Sequence, residues 1–243
     1  MQLDQILDGV VPVLRVNNRR MNIDFYTQTL GFTLLLEDAG FTNLGDLTKK
    51  EKIVLEETPG NRVRKVQGPK KVAEIILKAS VEEIEALLAS GATYTNIYKG
   101  AKGLAFRAVS PEGDRFLLHG EEDVDSLLEI ERLDLETVEG PVKLSSIEVE
   151  EVILHHPQAD QAQVFYQSLG LGKAVTVRQE EGQDLLLAND QTWDISSLYV
   201  RLRDLPLADL EAHFADADFF VPKRKQYLLV NDHSQVAVLF ENV

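Results

Sequence analysis

Phe25-Tyr26-Thr27-Gln28-Thr29-Leu30-Gly31 is echoed about 140 residues later by Phe165-Tyr166-Gln167-Ser168-Leu169-Gly170, one residue shorter. An internal echo is read before any single motif, because a repeat dictates the architecture around it. Each copy follows an apolar strand, residues 10–16 in the first case and 147–154 in the second, so the repeated unit is larger than the helix. The spacing predicts amphipathic helices: Met21, Phe25, Tyr26 and Leu30 share one face, as do Ala162, Phe165, Tyr166 and Leu169. Asn18 and Asp160 are the expected helix starts, and Gly31 and Gly170 the left-handed stops.

Two further helices divide each half again. Ser80 with Glu83 forms a capping box ahead of Val81, Ile84 and Leu88, and Gly91 ends that helix. Its counterpart follows Asp204-Leu205-Pro206 and carries Leu207, Leu210 and Phe214 on one face. Strands at 72–78 and 198–202 precede these helices; short strands at 103–109, 115–118, 226–230 and 236–240 follow them. The order strand, helix, strand, strand, strand thus occurs four times. One such module leaves half a sheet uncovered, so modules should pair into a curved sheet with helices outside and a cleft inside. The expected fold is α/β in the α+β sense: two tandem domains, each from paired βαβββ modules, at 1–120 and 146–243. Between them lies an acidic linker, 121–145, whose residues 121–140 carry nine acids and one base.

Composition narrows the function classes. Forty acids against 25 bases give a formal charge of -15, which repels phosphate backbones and anionic membranes, so neither nucleic acid nor membrane is an expected partner. Residues 1–11 have no signal-peptide pattern, and the expectation is a cytoplasmic protein, with a non-classical route left for a surface or released form. With no cysteine there are no disulfides, thiolate ligands or thiol nucleophiles.

The run Pro12-Val13-Leu14-Arg15-Val16 leading into Phe25-Tyr26 and Leu30-Gly31 resembles the vicinal oxygen chelate superfamily of glyoxalases, bleomycin-resistance proteins and extradiol dioxygenases. The turn Ser110-Pro111-Glu112-Gly113-Asp114 resembles the same superfamily. More narrowly, residues 13–19, Gly68-Pro69-Lys70-Lys71 and residues 109–114 are similar to the streptococcal CppA family, whose members are named C3-degrading proteinases. That resemblance implies glyoxalase/bleomycin-resistance-like domains and a hydrolase acting on host complement C3.

Superfamily enzymes hold a divalent metal through the first and last strands of each module. The resemblance places those positions on Val11, Leu117, Glu74 and Glu56 in the first half, and on Glu151, Ser197, Val238 and a leucine near Leu186 in the second. With two apolar residues in each set of four, neither a metal nor another cofactor is expected, and a metal-dependent lyase or dioxygenase is the lesser alternative. The metal-free bleomycin-resistance branch is the nearer analogue.

Strand alternation then fills the first cleft with Val11, Val13 and Arg15 facing Glu74, Ile76, Arg115, Leu117 and His119. An apolar trough carrying two guanidinium groups, an imidazole and a carboxylate suits a small planar or anionic ligand; the same charges would also serve as structural ion pairs. In the second half, His155 shares a strand face with Glu151 and joins Tyr199, whereas His156 points the other way. The alternative for His155 is a strand end running into a turn. Arg62, Arg64, Lys65, Lys70 and Lys71 form a basic segment suited to an anionic ligand, to the acidic linker of a second copy in a homodimer, or to a solvated crossover. No protease motif accompanies the implied proteinase, and Asp232-His233-Ser234 reads as turn chemistry rather than a catalytic triad.

Overall fold

The computed structural model describes residues 1–58, 60, 63–131, 135–137 and 139–243. In chain order the elements are β1 (Leu7–Val16), α1 (Arg19–Gln28), β2 (Thr33–Asp38), β3 (Phe41–Gly45), β4 (Glu51–Glu57), β5 (Val72–Lys78), α2 (Val81–Ala89), β6 (Asn96–Lys99), β7 (Leu104–Val109), β8 (Arg115–His119) and β9 (Leu128–Ile130). They continue with β10 (Glu148–His156), α3 (Ala159–Ser168), β11 (Val175–Gln179), β12 (Ile195–Leu202), α4 (Leu207–His213), β13 (Phe219–Phe220), β14 (Tyr227–Asn231) and β15 (Ala237–Asn242).

The chain divides into two compact units that each use both halves of the sequence. Unit 1 holds residues 1–15, 58–73 and 151–243; unit 2 holds 16–57 and 74–150. In unit 2, β2, β3 and β4 form an antiparallel meander. A second group of strands runs β5-β8-β7-β6-β9, with β5 and β8 parallel and the rest antiparallel. Its last strand, β9, lies inside the stretch expected to be a linker. In unit 1 the order is β13-β14-β15-β12-β1, with β12 and β15 parallel, while β10 and β11 form a separate parallel pair.

Helix α1 begins as expected, with the Asn18 side chain accepting from the Met21 N–H. Its buried face differs in part, however. Tyr26 and Leu30 turn inward as expected, but Met21 is 57% exposed and Asn22 and Ile23 are buried in its place. Tyr26 packs edge-on against Phe32 and Phe116, which anchors this face. Helix α3 starts after Gln158 with no side-chain cap, so Asp160 sits in the first turn and favours the helix dipole rather than capping it. Gly31 and Gly170 do take left-handed φ values, 69° and 78°. At Gly31 a Cβ would also lie 2.8 Å from Leu144 Cγ, so only glycine fits there.

The capping box is half formed. Ser80 Oγ accepts from the Glu83 N–H, but the Glu83 carboxylate accepts from the Ser145 N–H, leaving the reciprocal bond unmade. The third module is abbreviated: after α3 only β11 follows, and residues 180–194 contain no strand. Those residues bind segment 58–73 instead. Arg64 N–H donates to Gln191 O, Trp193 N–H to Arg64 O, and Trp193 Nε1–H to Thr58 O.

Candidate functional site

Register settles which side chains share a face in unit 2. Ile76 lies beside Leu117 and Lys78 beside His119 in the parallel β5–β8 pair, and Arg107 lies opposite Leu117 across β7–β8. Glu74, Ile76, Arg107, Leu117 and His119 therefore occupy one face. Glu74 is buried and its carboxylate is gripped by Arg107, which donates from Nε at 2.6 Å and from Nη2 at 3.2 Å. Arg107 Nη1 donates to Tyr98 Oη at 2.6 Å, and the guanidinium lies 5.2 Å from the centroid of the same ring. Hydrogen bonding to Glu74 raises the Arg107 pKa further. Three bonds orient this guanidinium, yet the side chain keeps 39% of its surface. The result is a preorganised cation with one open side.

The other expected members of that face behave differently. Arg115 begins β8 and is exposed, so a third guanidinium, Arg107, takes the carboxylate that the sequence offers to Arg115 and Arg15. His119 is fully buried; its Nε2 meets Glu150 at 2.7 Å, and Lys78 is 3.7 Å from the same carboxylate. Its Nδ1 is buried with no partner among the described residues, which fits the tautomer whose Nε2–H donates to Glu150. Glu121 turns back to accept from the Lys102 and Gly103 N–H groups and fixes the β6–β7 turn.

Arg15, His155 and Tyr199 fall in unit 1. Arg15 is 8% exposed, and its backbone N–H donates to Asp194 O. Tyr199 is half-buried opposite Val11 and carries the Arg201 guanidinium 5.4 Å from its ring centroid; Arg201 in turn pairs with Glu241 at 2.9 Å. His155 Nδ1 lies 2.9 Å from Lys70 O and donates to it. His156 is buried: Nδ1 accepts from the Gln158 N–H, and Nε2 lies 3.3 Å from His233 O.

The basic segment is largely internal glue. Arg64 grips Asp184 with two bonds of 2.6 and 2.8 Å, and the Gln67 N–H joins the same carboxylate. Lys71 is 1% exposed, with its ammonium donating to Leu187 O and Ser234 O and its N–H to Asp194. Burial lowers its pKa, and Asp194 and Asp232 oppose that shift. Lys65 is exposed, and Arg62 lies outside the described residues. The reading as a free anionic-ligand patch missed these partners because they lie 116 to 163 residues away in sequence.

The residues do not fit a superfamily-type metal. Val238 pairs with Leu198 on the core side of β15, so the face position belongs to Leu239 opposite Tyr199, a one-residue shift from the expected register that is still apolar. Glu74 is engaged by Arg107, and Glu151 accepts from Thr176 Oγ1. Among the described residues no three His, Asp or Glu side chains gather as a metal set. Proteolytic geometry fares no better at Ser168, which meets a histidine in space, or at Ser234, which follows one in sequence. Ser168 Oγ lies 3.1 Å from His213 Nε2, but it donates its proton to Phe165 O at 2.8 Å, so the imidazole must donate to it rather than deprotonate it. Ser234 is fully buried in the turn capped by Asp232, whose carboxylate accepts from the Ser234 and Val236 N–H groups.

Comparison with known proteins bears on the family and the fold. Residues 10–130 match the family model for the CppA N-terminal domain, and 144–240 the model for the CppA C-terminal domain. The crystal structure of cppA protein from Streptococcus pneumoniae TIGR4 is 36% identical, covering 98% of this chain and 99% of that one, with a TM-score of 0.88. A putative dioxygenase from Bacillus subtilis is 15% identical over 98% of this chain and 86% of that one, at a TM-score of 0.61. Glyoxalase I from Zea mays is 17% identical over 98% and 92%, at 0.52. No curated protein matches the chain. The two distant structures share its fold alone, the vicinal oxygen chelate fold, and by identity and coverage together the chain belongs to the CppA family.

Proposed function

We propose that this chain is a ligand-binding protein that works without a metal, with the Arg107 face of unit 2 taking a small planar or anionic molecule. The observation that carries the reading is Arg107 itself, a guanidinium fixed by Glu74 and Tyr98 and still 39% exposed. A charge held in place before the ligand arrives loses little freedom on binding. Ile76 and Leu117 supply the apolar floor beside it. Glu74 positions the guanidinium, and His119 braces the strand end. Arg15, His155 and Tyr199, on β1, β10 and β12, are the further candidates in unit 1.

The test is a melting series on tag-free protein with a panel of small carboxylates, phosphate esters and planar aromatic acids. A member of the panel should raise the melting temperature, and Arg107→Ala should remove the rise. Arg15→Ala and Arg115→Ala serve as comparison variants, since both residues are offered to the ligand by strand alternation. A rise that survives Arg107→Ala sinks the assignment. The proteolysis implied by family resemblance is checked in parallel: C3 left intact while a control protease cuts it removes that reading.

A further inference from the structure

An open groove of about 620 Å³ lies in unit 1 at the far end of the face that carries Tyr199 and Leu239, at the corner where the β12–α4 loop, the β13–β14 turn and the ends of β14 and β15 meet. Its volume lies in the range of small-molecule sites. Asp204, Leu205 and Leu207 come from the loop and the start of α4, Lys225 from the turn, and Tyr227 and Glu241 from a facing pair across β14 and β15.

The charges on this wall are matched unevenly. Glu241 is neutralised by Arg201 at 2.9 Å. Asp204 and Lys225 are both exposed, and neither has an ion-pair partner among the described residues, so they do not reach each other. An acid and a base that line one groove without pairing leave room for a ligand that carries both complementary charges. Leu205, Leu207 and the Tyr227 ring supply an apolar wall for the rest of such a molecule.

Lys225 is one of four non-glycine residues among those described with a positive φ, with Ala39, Lys49 and Gln235. It closes the turn begun by Pro222, donating its N–H to Pro222 O at 2.8 Å, and holds φ at 53°. Glycine or asparagine is the ordinary occupant of that conformation, since a Cβ is crowded there. Of those four residues Lys225 is the one that lines this groove, an outlier that fits use of the side chain.

We propose that this groove binds a free amino acid with an apolar side chain, its carboxylate on Lys225, its ammonium on Asp204, and its side chain against Leu205, Leu207 and Tyr227. The site shares no residue with the Arg107 face, so the two assignments stand or fall separately.

The experiment is calorimetric titration of the full chain with leucine and phenylalanine, alongside the N-acetyl derivative, which lacks the ammonium, and the methyl ester, which lacks the carboxylate. Wild type should bind at least one of the two amino acids saturably below roughly 10 mM, and each blocked derivative should bind at least about tenfold more weakly. Lys225→Gly is the decisive variant, because it relaxes the turn: its melting temperature should stay level or rise while amino-acid affinity falls about tenfold or more. Asp204→Asn should weaken binding similarly, and Arg107→Ala should leave it unchanged. The proposal is overturned if neither amino acid binds, if a blocked derivative binds as well as the free one, or if Lys225→Gly binds like wild type.

Discussion

Tyr26 and Tyr166 hold the same place in the two copies of the repeated helix, both fully buried and both edge-on to a preceding phenylalanine. Their hydroxyls meet different chemistry. Tyr166 donates to Asp232 at 2.6 Å, inside a cluster that also contains Lys71 and Asp194. The Tyr26 hydroxyl has no partner among the described residues. The turn beside each tyrosine explains the difference. In unit 2 the turn opens with Ser110 and closes with Asp114, whose N–H and carboxylate are both bound to Ser110 Oγ. In unit 1 it opens with Asp232 and closes with Val236, so the acid moves to the end facing the tyrosine. One repeat thus keeps its buried acid bonded to the turn's own serine, while the other directs it to the tyrosine and adds a buried lysine. That lysine comes from segment 58–73 in the first half of the sequence.

Removing Lys71 should break this contrast most severely. Lys71→Met leaves the Leu187 and Ser234 carbonyls without their donor and takes a positive charge from beside Asp232, and a loss of roughly 1–3 kcal/mol for each carbonyl is expected in denaturant unfolding. Tyr166→Phe comes next, at about 1–3 kcal/mol, because Asp232 loses a donor it cannot replace from water. Tyr26→Phe removes a hydroxyl that bonds to nothing, so its stability should stay within about 1 kcal/mol of wild type or improve. Equal losses for the two Tyr→Phe variants would show that the cores do not differ as described.

A smaller effect separates the Arg64–Asp184 clamp, whose arginine is exposed, from the network around Asp232. Hydrogen bonding by Arg64 holds the Asp184 carboxyl below its ordinary range. A carboxyl depressed in the folded state stabilises above its unfolded pKa of about 4 and loses that contribution as pH falls. Asp232 has the opposite sign: burial pushes its carboxyl up, so its contribution is greatest at low pH and is lost as pH rises through the folded pKa. Arg64→Gln should therefore flatten the decline of the melting temperature between about pH 5 and pH 3. An unchanged acid limb would remove Arg64 from that role.

The repeat was legible because helix faces, glycine stops and turn residues are local signals, and they carry the fold. Pairings between distant strands were not. Arg107 sits mid-strand in Leu-Ala-Phe-Arg-Ala-Val, as Glu74 does in Val-Ala-Glu-Ile-Ile-Leu-Lys, and a lone charge inside each apolar strand was a usable sign that the two meet. Strand alternation placed Glu74, Leu117 and His119 on one face, yet could not choose among Arg15, Arg107 and Arg115 as the partner. Lys71, Asp194 and Asp232 lie at strand ends and turns, where charge normally means solvent, and only tertiary structure buries them together. The single-residue shift that puts Leu239 rather than Val238 on the open face has the same origin, since register depends on the neighbouring strand.

The claim that Arg107 is a prepared binding group is most directly tested by its own Nε–H resonance in a proton–nitrogen correlation spectrum. With Glu74 bound, that signal should be sharp in the free protein, and it should shift saturably when a panel carboxylate is added but not with the matching neutral amide. A resonance that stays fixed while ligand binding shifts signals elsewhere would contradict the account.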